Sequence, residues 1–299
     1  MGLAGFGLAL RAASPILPIK SPLPEIWIGI ALLALAVLAV TYVVKVFRHA
    51  AAVKEEFSNP ASVGFCAAFP VGMALVAAGV APYSDTLAQG LWWVSVLGLL
   101  AIQAWTLALL FRGGVQLAQV NGGWLIVFVG GIVMPYAGLP LGHGGWSAYL
   151  FGASAMAAPF VMGLIFYRLL FGPELPAGLR PTWFILLVPP SLIYVNGTTL
   201  WPGPSSALLE CLYYAALPLA AGLLILLARG FWRWPFGAPW WAFTFPLDAL
   251  AGAAATFAKD HPDGPWLALS AVTLLLAGFF VVMVLVRSLL GLRAVFKLP

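Results

Sequence analysis

The stretch that decides the fold is WWAFTFPLDALAGAAATF, residues 240–257, which is apolar enough to lie within a lipid bilayer. It nevertheless contains Pro246 and Asp248, just after the bulky Phe245. A proline inside a helix removes a backbone hydrogen bond at a cost of about 3 kcal/mol. An ionised aspartate at mid-membrane costs about 2.5–3.5 kcal/mol. The rest of the sequence explains why a membrane helix carries both residues.

The composition is that of a polytopic membrane protein. Of the 299 residues, 63% are hydrophobic and only 8% are charged, whereas soluble domains carry about 25% charged residues. The net charge of +5 comes from basic residues spread over short loops. This distribution is typical of topology signals, so we expect no nucleic-acid partner.

Residue types that carry catalysis or bind metals are scattered along the chain. The three histidines lie far apart without neighbouring ligand residues, and both cysteines lie inside apolar runs. Metal sites and disulfide frameworks need clusters or a patterned set of such residues. Intramembrane catalysis needs paired acids or a nucleophile beside a base. We therefore expect no metal, no cofactor, no disulfide framework and no enzymatic activity.

Apolar runs of about 20 residues, bounded by charges, glycine or proline, predict ten membrane spans in a single domain of residues 1–299. The predicted fold is therefore all-α. We number the spans 1 to 10 in chain order, and their predicted ranges are 2–14, 26–47, 61–80, 87–111, 122–139, 147–171, 181–200, 206–229, 239–258 and 266–290.

The lysines and arginines predict the orientation of these spans. Three of the fourteen, Arg11, Lys20 and Lys259, fall on one side of the membrane. The other eleven, among them Lys297 near the C-terminus, fall on the opposite side. Since basic residues are retained on the cytoplasmic side, we expect both termini to lie in the cytoplasm.

Prolines interrupt four of the five odd-numbered spans at similar depths. Pro70, Pro135, Pro189 and Pro246 follow one another at intervals of 65, 54 and 57 residues, which indicates a repeated hairpin of one broken and one plainer helix. A broken helix is tolerated in a membrane only beside protein or a water-filled cavity. We therefore predict five hairpins in which odd spans line a central pore, with Phe69 and the four prolines at pore-lining breaks, and even spans lie outside. The alternative is that these prolines only kink helices for packing.

In the segment 240–257 and in several other short segments, the chain resembles the tellurite-resistance/dicarboxylate transporter family. This family includes bacterial tellurite-resistance channels and the slow anion channels of plant guard cells. The segment WWAFTFPLDALA is similar to the family's aromatic-rich segment ending in Phe-Pro. KEEFSNPASVGFCAAFP (54–70), RGGV (112–115) and ARGFWRWPFGAPWWAFTF (228–245) also fit the family's pattern, and the resemblance covers essentially the whole chain.

The resemblance implies a barrel of five helical hairpins, packed as a homotrimer with one pore per subunit. It implies that Phe245, matched by position, plugs the pore. The bacterial members imply the inner (plasma) membrane as the location.

Asp248 lies three residues past Phe245 and so on nearly the same helix face. Three interpretations are open. Asp248 is ion-paired with Arg11, the one basic candidate within an odd span; or it is protonated because of desolvation; or it takes part in proton coupling.

Apart from Arg11, the odd spans hold no basic residue that would fix an anion, so helix dipoles and exposed backbone amides would have to attract it. Such a lumen favours small, weakly hydrated monovalent anions, nitrate over chloride. The predicted function is an anion channel gated by Phe245, with small anions and membrane lipid as partners. The alternative is a proton-coupled transporter or exporter of C4-dicarboxylates such as malate, of sulfite or of tellurite-type oxyanions, with Asp248 carrying the proton.

Overall fold

The computed structural model describes residues 1–203 and 206–296, so that Lys297 lies outside the described residues. Within those ranges the regular secondary structure is helical throughout, with no strand. This confirms the all-α fold of a polytopic membrane protein.

The helices follow the ten predicted spans. Their bounds are Gly2–Ala13 (span 1), Leu23–Arg48 (span 2), Val63–Cys66 and Ala68–Val80 (span 3), Asp85–Leu110 (span 4), Gly123–Val129, Gly130–Val133 and Pro135–Gly138 (span 5), Gly144–Phe171 (span 6), Ala177–Leu187 and Val188–Leu200 (span 7), Ser206–Ala228 (span 8), Ala238–Ala242 and Thr244–Asp260 (span 9) and Trp266–Phe296 (span 10). A surface helix, Ala50–Ser58, and two short 3₁₀ turns, Leu117–Gln119 and Phe231–Arg233, lie between spans.

Seven helical segments within the described ranges are long and apolar enough to cross a membrane, namely spans 2, 3, 4, 6, 7, 8 and 10. Spans 1 and 5 are shorter apolar segments, and the main helix of span 9 has 17 residues. The total of ten crossings therefore stays a prediction.

The interrupting prolines lie in the first turn of the last helix of each broken span. Pro135 is the first residue of its helix in span 5. Pro189 is the second residue of its helix in span 7, and Pro70 and Pro246 are the third residues of theirs in spans 3 and 9. The amides of the first helical turn have no intrahelical acceptor, so a proline there loses nothing. The prolines therefore mark breaks in the spans, as the sequence predicts.

Burial separates the odd spans from the even ones. In the apolar stretches of spans 3 and 7, 78% of the residues are buried, whereas in the five even spans the share is between 11% and 39%. In span 9, every residue from Thr244 to Ala255 is buried. The broken spans thus form the inside of the bundle and the continuous spans its outside.

Several loops that carry basic residues meet at one end of the bundle. The Trp124 indole N–H in span 5 donates to the Pro60 carbonyl in the loop after span 2, at 2.9 Å. Arg168, buried at the end of span 6, donates from Nε to the Leu117 carbonyl in the loop after span 4, at 3.2 Å. These loops therefore share one end, as the orientation prediction requires; which side of the membrane it faces stays a prediction.

Candidate functional site

A small cavity lies among the odd spans of the described chain, with a volume of about 20 Å³, which is enough space for about one water molecule. Each of the five odd spans contributes at least one residue to its wall, and every lining residue belongs to an odd span. These residues are Gly5, Leu8, Ala9, Ala12, Leu75, Tyr136, Leu192, Phe245, Asp248, Ala249 and Gly252.

Phe245 lies in the wall of this cavity, with 6% of its surface exposed. It is the second residue of its helix, and the 3₁₀ segment Ala238–Ala242 precedes it. Phe243, between the two, is fully buried against neighbouring rings, with ring-centroid distances of 4.9 Å to Phe184 and 5.1 Å to Phe280. The start of the helix that carries Phe245 is therefore anchored by aromatic packing.

The same segment is also fixed by span 10. The Arg287 guanidinium lies 4.5 Å from the Phe236 ring centre and 4.7 Å from that of Trp240. The Trp240 indole N–H donates to the Pro235 carbonyl at 2.8 Å. Such cation–π contacts contribute about 0.5–1 kcal/mol each at exposed sites. They limit the movement of the chain that leads into Phe245.

Span 1 packs closely on span 9 because it has a glycine at the point of contact. A Cβ atom at Gly5 would lie 2.8 Å from Asp248 Oδ2 and 2.9 Å from Phe245 Cδ2. Real side chains essentially never approach so closely. Gly5 thus allows both Phe245 and Asp248 to lie against span 1, and the spacing of apolar residues gives no hint of this role.

Asp248 is buried, with 2% exposure, and neither of its carboxyl oxygens has a hydrogen-bond partner in the described chain. Arg11 does not pair with it. Its Nε instead contacts Glu25 Oε1 in span 2 at 3.3 Å, and its guanidinium lies 5.7 Å from the Tyr83 ring centre. The interpretation of Asp248 and Arg11 as an ion pair is wrong, because Glu25 is the nearer partner. The interpretations of protonation and proton coupling stay open.

Phe69 and the four prolines do not belong to the cavity wall. Phe69 has 39% of its surface exposed. The carbonyl of Pro70 accepts a hydrogen bond from Ser95 Oγ at 2.6 Å, and its ring packs against Gly98, so Pro70 faces span 4. Phe69 and Phe245 share a Phe-Pro sequence, but the structure brings only Phe245 to the cavity.

Tyr136 is a lining residue that the sequence interpretation missed. It follows Pro135 directly, and it is partly exposed while Pro135, Ala137 and Gly138 on the same short helix are buried. The available signal was the aromatic residue beside a helix-breaking proline, which is also present at Phe245. Within the described residues, no group of three histidine, cysteine or acidic side chains is close enough to hold a metal ion.

Comparison with known proteins identifies relatives of the chain. The voltage-dependent anion channel family (SLAC1) matches residues 1–289. The S-type anion channel SLAH2 of Arabidopsis thaliana is 25% identical over 262 residues, which cover 85% of this chain and 49% of the plant protein. SLAH3 of the same plant is 24% identical over 272 residues, which cover 86% of this chain and 42% of that protein. The chain spans about half the length of the curated relatives it matches.

The close approach of spans 1 and 9 predicts that Gly5→Ala is destabilising. The added methyl group must displace Phe245 or Asp248, and overpacking of this kind costs about 1–3 kcal/mol. Gly163→Ala is the matched control, because a Cβ atom at Gly163 meets nothing within 4 Å. Thermal unfolding in detergent should show a lower midpoint for Gly5→Ala only. Equal midpoints for Gly5→Ala and the unmodified protein would contradict the described contact.

Proposed function

The chain belongs to the voltage-dependent anion channel family, and from this premise we propose that it is an anion channel gated by Phe245. It is an integral multi-pass membrane protein. In this proposal, small monovalent anions cross the membrane through the cavity between the five odd spans, and the Phe245 ring closes the path.

One observation carries the proposal: all five odd spans contribute to the wall of one cavity, and Phe245 is part of that wall. An aromatic ring in a narrow lumen blocks hydrated ions sterically and by excluding water. The ring is also close to span 1 at Gly5, which leaves little room beside it. Removal of the ring is therefore expected to open the path.

The residues of the cavity wall also determine which anions we expect to permeate. Its described residues are mostly glycine, alanine, leucine and one phenylalanine, with no lysine or arginine among them. Without a fixed positive charge, a pore discriminates by the cost of dehydrating the ion. We expect weakly hydrated monovalent anions, nitrate ahead of chloride, to permeate best.

The rest of the assembly is part of the same proposal. The even spans expose many large apolar side chains, among them Leu33, Leu97 and Phe160, which lipid or another subunit would cover. We place both termini in the cytoplasm, in the inner membrane of a bacterium, with three copies per assembly and one pore in each.

If Phe245 closes the path, Phe245→Ala should carry more anion current than the unmodified protein. In planar bilayers or oocytes, the unmodified protein should be nearly silent and the variant should carry at least roughly tenfold more anion current, because the dewetted constriction is gone. Nitrate should be at least as permeant as chloride.

Phe69→Ala is the matched control, since Phe69 also precedes a proline in an odd span but lies outside the cavity wall. It should stay as silent as the unmodified protein. Equal currents for Phe245→Ala and Phe69→Ala would exclude Phe245 as the gate.

A second candidate function has support from Asp248. A buried carboxyl group without a hydrogen-bond partner, in the wall of a cavity, is the kind of intramembrane acid that carries protons in transporters. The chain would then move C4-dicarboxylates such as malate, sulfite or tellurite-type oxyanions together with a proton.

This second candidate predicts a specific effect of Asp248→Asn. In liposomes with an imposed pH gradient, uptake of malate or sulfite should occur for the unmodified protein and fall to background for the variant, since an amide cannot carry the proton. Asp263→Asn, in the exposed loop between spans 9 and 10, should leave uptake unchanged. Uptake that is independent of the pH gradient, or equal in both variants, would count against proton coupling.

A further inference from the structure

The cavity wall contains two polar side chains, Tyr136 of span 5 and Asp248 of span 9, among its eleven described residues. An anion that leaves water needs hydrogen-bond donors in place of its hydration shell. The Asp248 carboxyl group can donate a hydrogen bond only when it is protonated, whereas the phenol hydroxyl of tyrosine donates one in its ordinary neutral state. The Tyr136 hydroxyl is therefore the side chain of this wall best suited to meet an anion.

The backbone places this hydroxyl beside span 9. Tyr136 lies in the short helix that follows the break in span 5, and a Cβ atom at Gly252 would lie 4.0 Å from its hydroxyl oxygen. Gly252 is seven residues past Phe245, which corresponds to about two helical turns or roughly 10 Å. The hydroxyl thus lies beyond the gate along the axis of span 9, with no side chain at position 252 to cover it.

Two other polar side chains on the odd spans, Asn196 and Thr256, have protein partners, whereas Ser191 has none but lies outside the cavity wall. Asn196 donates from Nδ2 to the Ile132 carbonyl at 2.6 Å, and Thr256 donates from Oγ1 to the Gly252 carbonyl at 3.0 Å. The Tyr136 hydroxyl makes no hydrogen bond to a described residue. Buried polar groups are normally hydrogen-bonded, so this hydroxyl is left available to a ligand in the cavity.

We propose that Tyr136 is a specificity-determining residue of the pore, whose hydroxyl donates a hydrogen bond to the permeating anion. The inference rests on the anion conduction proposed above. A single neutral donor replaces only part of a hydration shell, so it helps a strongly hydrated anion such as chloride more than it helps nitrate. Tyr136 thus favours the passage of chloride and limits the preference for nitrate.

The test compares Tyr136→Phe with its parent in the conducting Phe245→Ala background, by reversal potentials with chloride on one side and nitrate on the other. Loss of one hydrogen bond should raise the nitrate-to-chloride permeability ratio roughly threefold to tenfold. Tyr194→Phe is the control. Tyr194 belongs to a buried aromatic cluster with Tyr213 and Phe257, outside the cavity wall. Removal of the Tyr194 hydroxyl should leave the nitrate-to-chloride permeability ratio unchanged.

A ratio that is unchanged in Tyr136→Phe, or that changes equally in Tyr194→Phe, would overturn the inference while anion conduction stands. A silent Phe245→Ala background would instead overturn the proposed function. The role of Tyr136 is then decided by binding to the purified protein in detergent. Sodium chloride, compared with sodium gluconate, should raise the unfolding temperature of the unmodified protein and not that of Tyr136→Phe; equal shifts would overturn the inference.

Discussion

The structure depends on one constraint: within a membrane, a backbone amide or carbonyl that leaves a helix must find protein or water, because lipid offers no partner. Four of the five odd spans are broken, and each of the four has a proline in the first turn of its last helix. Such segments cannot face lipid, so they are buried together, and the even spans, which are continuous helices, surround them. The cavity lies where the broken segments converge.

Close packing of the short first span against span 9 determines the shape of that cavity. Because residue 5 is a glycine, the backbone of span 1 can contact Phe245 and Asp248. Aromatic packing around Phe243 separately fixes the start of the span 9 helix. The ring at position 245 is thus held between two rigid neighbours. In the proposed channel, a small displacement of this ring would change the width of the path without movement of the surrounding helices.

Much of this arrangement was predictable from the sequence, because prolines and long apolar runs act locally. The breaks at Pro135 and Pro246 and the inner position of the odd spans follow from such signals. The position of Phe245 at the cavity was implied by the family resemblance, and that of Asp248 by its spacing of three residues from Phe245. The partner of Arg11 and the role of Gly5 were not predictable from the sequence, because each depends on how two separate helices pack. Phe69 shows the limit: a Phe-Pro sequence predicts a break but not the direction in which the ring points, which the neighbouring span decides.

The central claim, that the odd spans enclose the aqueous path, is tested most directly by the accessibility of single cysteines. In a Phe245→Ala protein with Cys66 and Cys211 replaced by serine, cysteines would be placed one at a time in membrane vesicles and exposed to a charged, water-soluble thiol reagent. The account predicts modification at Leu75, Leu192 and Ala249, which line the cavity, and none at Leu97 and Phe160, which are exposed on even spans. Modification on the even spans with protection of the cavity positions would contradict it.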